Sequence, residues 1–189
     1  VGAISRPSAP GIPIKPLDAS LAFLEGEDAR DPRPLRVIGA GAAGLEVVLA
    51  LRRRWPLRPL QLQHHPGQLD ATTRKSLQRA RITLIDDDVP PSGPSLLCTG
   101  SQGPAWLARA GLPVDSDGRV RTDCCLRVEG HPCLFASGDC AVISTAPRPA
   151  SGVWAVRAGR PLATNLEAAC RGRPLRPWQP QRLALQLIG

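Results

Sequence analysis

The spacing of apolar residues predicts a chain that alternates between short strands and helices. Leu35–Ile38 is a mostly apolar run of strand length, and apolar positions within residues 47–51 then recur at helical spacing. Trp55 and Pro56 end that predicted helix, because proline interrupts helical hydrogen bonding. Residues 60–63 read Leu-Gln-Leu-Gln, an alternation typical of a strand with one polar face. The pattern therefore predicts a strand, a helix and a second strand over residues 33–63.

The rest of the chain carries similar but shorter signals. Residues 1–30 begin as a proline-rich connector, after which Asp18 or Ser20 is placed to cap a short helix. Residues 86–94 read as a loop, since acidic residues, proline and glycine cluster there. The other predicted elements are helices at residues 17–24, 71–79, 105–110 and 151–169, strands at residues 82–85, 95–98, 120–122 and 134–136, and a turn at residues 115–118.

A glycine motif joins the first predicted strand to its helix. Gly39, Gly41 and Gly44 form a G-x-G-x-x-G pattern in that position. In such a turn the first glycine permits a tight bend, the second lets a pyrophosphate approach the backbone, and the third lets helix and strand pack closely. The free N–H groups and the dipole at the helix start would then bind the anion. The alternative is a glycine-rich turn that binds nothing.

A second motif lies about a hundred residues further along the chain. The apolar run at residues 134–136 leads through Ser137 into Gly138 and Asp139. We expect this run to be a strand with Asp139 at its carboxyl end, where open α/β sheets bind ligands. A carboxylate there suits a ribose or ribityl hydroxyl. The alternative is an ordinary turn, which Gly and Asp both favour.

Together these motifs resemble the FAD-dependent pyridine nucleotide-disulfide oxidoreductase superfamily. Residues 39–44 with Glu46 are similar to its nicotinamide-binding fingerprint, and residues 97–100 to its A-T-G strand, with Cys98 in place of the usual alanine. Residues 136–139 look like its A-x-G-D flavin motif, and Gly152 would let the last helix approach the flavin. The resemblance implies FAD and NAD(P)H as cofactors, held by Gly39, Gly41, Gly44, Glu46, Gly100, Gly138, Asp139 and Gly152.

The resemblance also implies the architecture of the chain. We expect an α/β, Rossmann-like FAD/NAD(P)-binding fold in which an abbreviated nicotinamide lobe is inserted between flavin-domain segments. The expected boundaries are residues 1–32 for the end of the first flavin segment, 33–100 for the nicotinamide lobe and 101–189 for the C-terminal flavin segment. The lobe is abbreviated because the loop at residues 86–94 stands where the family has a three-stranded meander.

Shorter stretches are most similar to the NADH dehydrogenase-like branch, in particular to the module found fused to selenide, water dikinase. They are residues 1–3, 14–18, 155–166, 172–177 and 181–189. The family's first glycine fingerprint, which cradles the FAD pyrophosphate, has no counterpart before Gly39, and the chain contains no methionine. We therefore expect this sequence to be the C-terminal portion of a longer protein, with a fused selenide, water dikinase domain as a partner.

The resemblance implies an FAD-dependent NAD(P)H oxidoreductase that passes hydride from nicotinamide to flavin and electrons on to an unidentified acceptor. The alternative is a non-catalytic remnant that serves as an interaction or regulatory module beside a fused enzyme. A Rossmann unit usually carries an acidic residue about 20 positions after the glycines to hold the adenosine ribose. Gln63, His64 and His65 stand there instead. This leaves NADP, which favours basic or neutral polar partners, or no nucleotide at all, as alternatives to NAD.

Composition excludes several other classes of function. The net charge is +8, but the arginines are dispersed and aromatic residues make up only 3%, so we expect no nucleic-acid partner. No apolar run approaches the length of a membrane-spanning helix, and we expect a cytoplasmic protein, with the membrane surface as an alternative location. The six cysteines and three histidines lack metal-ligand spacing, so we expect no metal site. No catalytic residue is assigned.

Overall fold

The computed structural model describes residues 2–5 and 10–182. The chain forms two compact units, one built mainly from residues 5–100 and the other mainly from the residues after Gly100. The elements of the described residues are β1 (Ile4–Ser5), β2 (Ile12–Pro13), α1 (Leu17–Glu25), β3 (Leu35–Ile38), α2 (Ala42–Arg54), β4 (Leu60–His64), α3 (Ala71–Arg79), β5 (Ile82–Asp86), β6 (Ser95–Leu97), β7 (Ser101–Gln102), α4 (Trp106–Arg109), β8 (Val120–Thr122), β9 (Ala141–Ile143) and α5 (Gly152–Cys170).

The first unit contains a five-stranded sheet in the order β2-β6-β3-β4-β5. All its pairings are parallel, and β3 and β4 are in register from Leu35↔Leu60 to Ile38↔Gln63. From β2 to β5, strands and helices alternate along the chain, as the hydrophobic pattern predicts. The predicted α/β class with a Rossmann-like parallel sheet is confirmed.

The two faces of this sheet differ in polarity. Paired residues of parallel strands point to the same face, so Leu35, Val37 and their partners on β4 lie on one side. That side packs against α1, α2 and α3 in the main core, which includes Leu24, Leu35, Val37, Val48, Leu51, Leu60, Leu62 and Leu77. Arg36 and its partner Gln61 lie on the other side. The alternation read from residues 60–63 thus places the main core on one face.

Residues 87–94 form the whole connection between β5 and β6, without a strand or helix. The loop predicted at this position is therefore present, whereas the assignment of these residues to an abbreviated nicotinamide lobe stays a prediction. Parallel sheets usually have both faces covered. Here the polar face is partly covered by this loop, because Arg36 Nη1 donates to the carbonyl of Val89 at 2.7 Å.

The second unit differs from the sequence prediction at one strand. Residues 134–136 were predicted to be a strand, but Phe135 makes only an isolated bridge with Arg127, so that prediction is wrong. Leu134 is 45% exposed, so this segment lacks the burial that would favour regular pairing with another strand. The strand lies further on, as β9, and pairs in parallel with β8 from Val120↔Ala141 onward. Its residues, Ala-Val-Ile, are too few to give a periodic signal.

Candidate functional site

A cleft of about 820 Å³ lies in the first unit, at the carboxyl ends of β3, β4 and β6. This is the edge at which open parallel sheets bind ligands, and the volume falls within the range of small-molecule and cofactor sites. Its walls come from the glycine turn, the end of β4 and the loop after β5. The residues used below are Gly39, Gly41, Gln63, His64, His65, Asp87, Asp88, Val89, Cys98 and Gly100.

The three glycines of the turn have different roles in the fold. Gly39 has a φ of +105°, and a Cβ there would lie 2.5 Å from the carbonyl oxygen of Cys98. A Cβ on Gly44 would lie 1.8 Å from the carbonyl oxygen of Gly39, so helix and strand approach too closely for any side chain. A Cβ on Gly41 would meet nothing within 4 Å. The fold therefore requires Gly39 and Gly44, whereas Gly41 leaves open space beside the cleft.

The amino end of α2 faces this space. Gly41 is the N-cap residue and supplies no side-chain cap to the first turn of the 13-residue helix. The N–H groups of such a turn, together with the helix dipole, bind phosphate and other anions. Gly100, with a φ of +91°, lines the same cleft. Glu46 is exposed on α2 and Gly44 is buried, and neither residue lines the cleft. Of the residues predicted to bind the nicotinamide nucleotide, only the first two glycines of the turn therefore line it.

The end of β4 is occupied by a hydrogen-bond network that the sequence did not reveal. Gln63 Oε1 accepts from Arg36 Nη1 at 3.2 Å, and Gln63 Nε2 donates to the carbonyl of Asp87 at 3.0 Å. Arg36 Nε also donates to Gln61 Oε1 at 2.9 Å. Burial lowers the pKa of Arg36. Because both ends of the Gln63 amide are engaged, this residue is held in place rather than left available to a ribose.

Two further features complete the walls of the cleft. The side chain of His65 contacts Asp87, and His64 Nδ1 lies 2.9 Å from the carbonyl of His65. Burial raises the pKa of the Cys98 thiol to about 11. Cys98 therefore stays a neutral thiol near pH 7 and acts as a small apolar wall rather than as a nucleophile.

The second predicted motif lies in the second unit, beside a small cavity of about 50 Å³. Gly138 has a φ of +76° and starts a 3-10 turn through Cys140, so Asp139 precedes β9 instead of ending a strand. Gly138 and Asp139 line the cavity together with Ser151, whose hydroxyl caps the backbone N–H of Val153 at the start of α5. Gly152 is the first residue of α5 and has open space around its Cβ position, but it does not line this cavity.

The residues after α5 return across the same unit. Asn165, which is fully buried, donates to the carbonyls of Cys125 and Arg176 and accepts from the backbone N–H of Arg176, all within 2.9 Å. Trp178 then lines the cavity beside Asp139. The returning segment therefore forms part of the wall, a contact that no local pattern in the sequence predicts.

Within residues 2–5 and 10–182, no group of three or more His, Cys, Asp or Glu residues is arranged to hold a metal ion. No helix in the same ranges is long and apolar enough to cross a membrane. The sequence stretches at Val1 and residues 183–189, which carried part of the predicted likeness to the selenide, water dikinase-linked module, lie outside the described residues.

Several known proteins are similar to this chain in sequence or in structure. Ferroptosis suppressor protein 1 from Xenopus tropicalis is 23% identical over 188 residues, which cover 80% of this chain and 50% of that protein. The FAD-dependent pyridine nucleotide-disulphide oxidoreductase from Desulfovibrio vulgaris superposes with a TM-score of 0.67 at 21% identity, covering 94% of this chain and 54% of that one. The water-forming NADH oxidase from Lactobacillus brevis, bound to NADH, gives 0.68 at 21% identity, covering 87% and 44%.

These likenesses confirm the predicted fold, which this chain shares with FAD-dependent pyridine nucleotide-disulphide oxidoreductases. No model of a known protein family matches the sequence. The chain spans about half the length of the curated relatives it matches.

Proposed function

We propose that this chain is part of an FAD-dependent NAD(P)H oxidoreductase, with the nicotinamide nucleotide bound in the cleft of the first unit. The observation that carries this proposal is the open space at Gly41. The fold needs glycine at positions 39 and 44 but not at 41, so its small size serves a ligand that approaches the N-terminus of α2. Solved proteins with this fold include an oxidase bound to NADH, which supports the same cofactor class here.

Each group around the cleft has a role in this proposal. The N–H groups at the start of α2 bind the pyrophosphate, and the absence of a Cβ on Gly41 lets it approach the backbone. Gly100 supplies a side-chain-free surface across the cleft. Cys98, held as a neutral thiol, excludes water without adding charge. The predicted contact from Glu46 stays a prediction, since its side chain is exposed on α2.

The flavin is proposed to contact the second unit. Asp139 would accept a hydrogen bond from a ribityl hydroxyl, and the N-terminus of α5 would stabilise negative charge on the reduced ring. The cavity beside Asp139, at about 50 Å³, is far smaller than a complete cofactor pocket. In this proposal, the described part of this unit contributes only one wall of the flavin site. Bound FAD would accept hydride from the nicotinamide and pass electrons to an acceptor.

The experiment is an anaerobic titration of the full-length protein. We expect a flavin absorbance band near ~450 nm that bleaches when NADH or NADPH is added. The variant Gly41→Val is the matched control, and it should keep the flavin band but bleach much more slowly. A bound flavin that neither nucleotide reduces would overturn the proposal. A protein that binds neither cofactor would favour the alternative, a non-catalytic module beside a fused enzyme such as selenide, water dikinase.

A further inference from the structure

Arg36 is a buried cation without a counter-charge among the described residues. It is 3% exposed and lies on β3. Its guanidinium donates to three neutral oxygens, on Gln61, Gln63 and Val89, and no described carboxylate lies within 4.0 Å of it. Hydrogen bonds to neutral groups satisfy three of its donors but leave a full positive charge in the interior. An unpaired buried charge is unfavourable, so its retention calls for a reason.

The charge lies directly behind the wall of the nucleotide cleft. Two of its three acceptors belong to lining residues, since Nη1 lies 3.2 Å from Gln63 Oε1 and 2.7 Å from the Val89 carbonyl. Gln63 stands near the position where an acidic residue ordinarily holds the adenosine ribose. The wall at this end of the cleft is thus neutral on its surface and cationic immediately beneath it.

Carboxylates on the same wall offset this charge only in part. Asp87 is in contact with the side chain of His65. Asp88 lies on the exposed loop, where water and salt screen its interactions. A buried charge is screened far less than an exposed one, so the charge of Arg36 is screened less than that of Asp88.

We propose that Arg36 determines nucleotide preference, so that the cleft binds NADPH more tightly than NADH. The additional phosphate on the adenosine ribose supplies the counter-charge that the folded protein lacks. Arg36 does not line the cleft, whereas its acceptors Gln63 and Val89 do. It is therefore a positioning residue that determines specificity without touching the nucleotide. This inference rests on the proposed function, because it assumes that the cleft binds a nicotinamide nucleotide.

The test compares binding of NADP⁺ and NAD⁺ to the full chain by calorimetry. We expect NADP⁺ to bind at least about tenfold more tightly at low salt, the size of a modest charge–charge interaction. Arg36→Gln should remove most of this preference by weakening NADP⁺ alone. Arg36→Lys keeps the charge and should retain the preference, which a purely structural role would not predict.

Gln61→Glu provides a second variant that does not depend on removing a buried arginine. Gln61 accepts from Arg36 Nε at 2.9 Å but does not line the cleft, so a glutamate there neutralises the charge without altering the wall. The NADP⁺ preference should fall by a similar factor. An unchanged ratio in this folded variant, or tighter binding of NAD⁺ to the native chain, would overturn the inference alone. Failure of both nucleotides to bind would overturn the proposed function as well.

Discussion

At the scale of single residues, neighbouring glycines in one turn carry different constraints. Gly44 is required because its Cα lies against the backbone of Gly39, and Gly39 is required because of its positive φ and its contact with Cys98. Gly41 has a φ of −72° and a ψ of 178°, a conformation that any residue adopts. Within these six residues, folding therefore restricts positions 39 and 44, whereas only the proposed ligand restricts position 41.

This separation gives a prediction for two alanine variants. Gly41→Ala should leave the free energy of unfolding within about 0.5 kcal/mol of the native value, because the position is open. It should weaken NAD(P) binding, because the added methyl group occupies the space proposed for the pyrophosphate. Gly44→Ala should destabilise by about 1–3 kcal/mol, since the methyl group would overlap the Gly39 carbonyl.

Urea unfolding and nucleotide titration of both variants would check this. Equal loss of stability in the two variants would contradict the distinct roles assigned to them. Undiminished nucleotide affinity in Gly41→Ala would show that the open space does not serve the ligand.

At the scale of elements, polar side chains connect segments that also share a hydrophobic core. Arg52, near the end of α2, donates to the carbonyls of Ala80 and Arg81 after α3, each at 2.8 Å. Asn165 in α5 makes the equivalent connection in the second unit, to Cys125 and Arg176. Arg52, which adds to the net charge, thus also serves as an internal connector.

Asn165 is the more critical of these connectors, because its three hydrogen bonds lie in a site without exposure to water. We expect Asn165→Ala to lower the free energy of unfolding by about 1–3 kcal/mol, the cost of leaving buried carbonyl and N–H groups unpaired. Leu166→Ala is the matched control on the next residue, which is 42% exposed, and it should cost clearly less.

Chemical denaturation of the two variants measures the difference. Limited proteolysis should also cut the segment after α5 faster in Asn165→Ala, since that segment loses its attachment. Equal stability of both variants would mean that the returning segment is held by other contacts.

At the scale of the whole molecule, the two predicted motifs belong to separate compact units. Gly41 lines the cleft of the first unit, and Asp139 lines the cavity of the second. Each unit has its own apolar core, so a substitution in one motif should leave the packing of the other unit intact. The two proposed cofactors can therefore be perturbed one at a time.

We expect a double dissociation in the full-length protein. Asp139→Ala should reduce flavin retention on gel filtration while NAD(P) binding to the first unit persists, because the proposed flavin contact is lost and Asp139 does not line the nucleotide cleft. Gly41→Val should do the reverse. If either substitution abolished binding of both cofactors, the assignment of one cofactor to each unit would be wrong.

The sequence by itself determined the features that depend on local order. Alternation at residues 60–63, the apolar run at Leu35–Ile38 and the spacing of the three glycines fixed the strand–turn–helix unit, because period and backbone freedom are properties of neighbouring residues. The sequence also marked Gly39, Gly41 and Gly100 as candidate cofactor-binding residues, and all three line one cleft.

Only the tertiary structure decided the features that depend on distant partners. The pairing of β9 with β8, the connection made by Asn165 and the network around Arg36 each join residues remote in sequence. The sequence around an arginine in a short strand does not indicate whether its side chain is buried or which oxygens accept its hydrogen bonds, since both follow from packing. The electrostatics of the cleft therefore depend on the loop after β5, where the carbonyls of Val89 and Asp87 accept hydrogen bonds from Arg36 and Gln63.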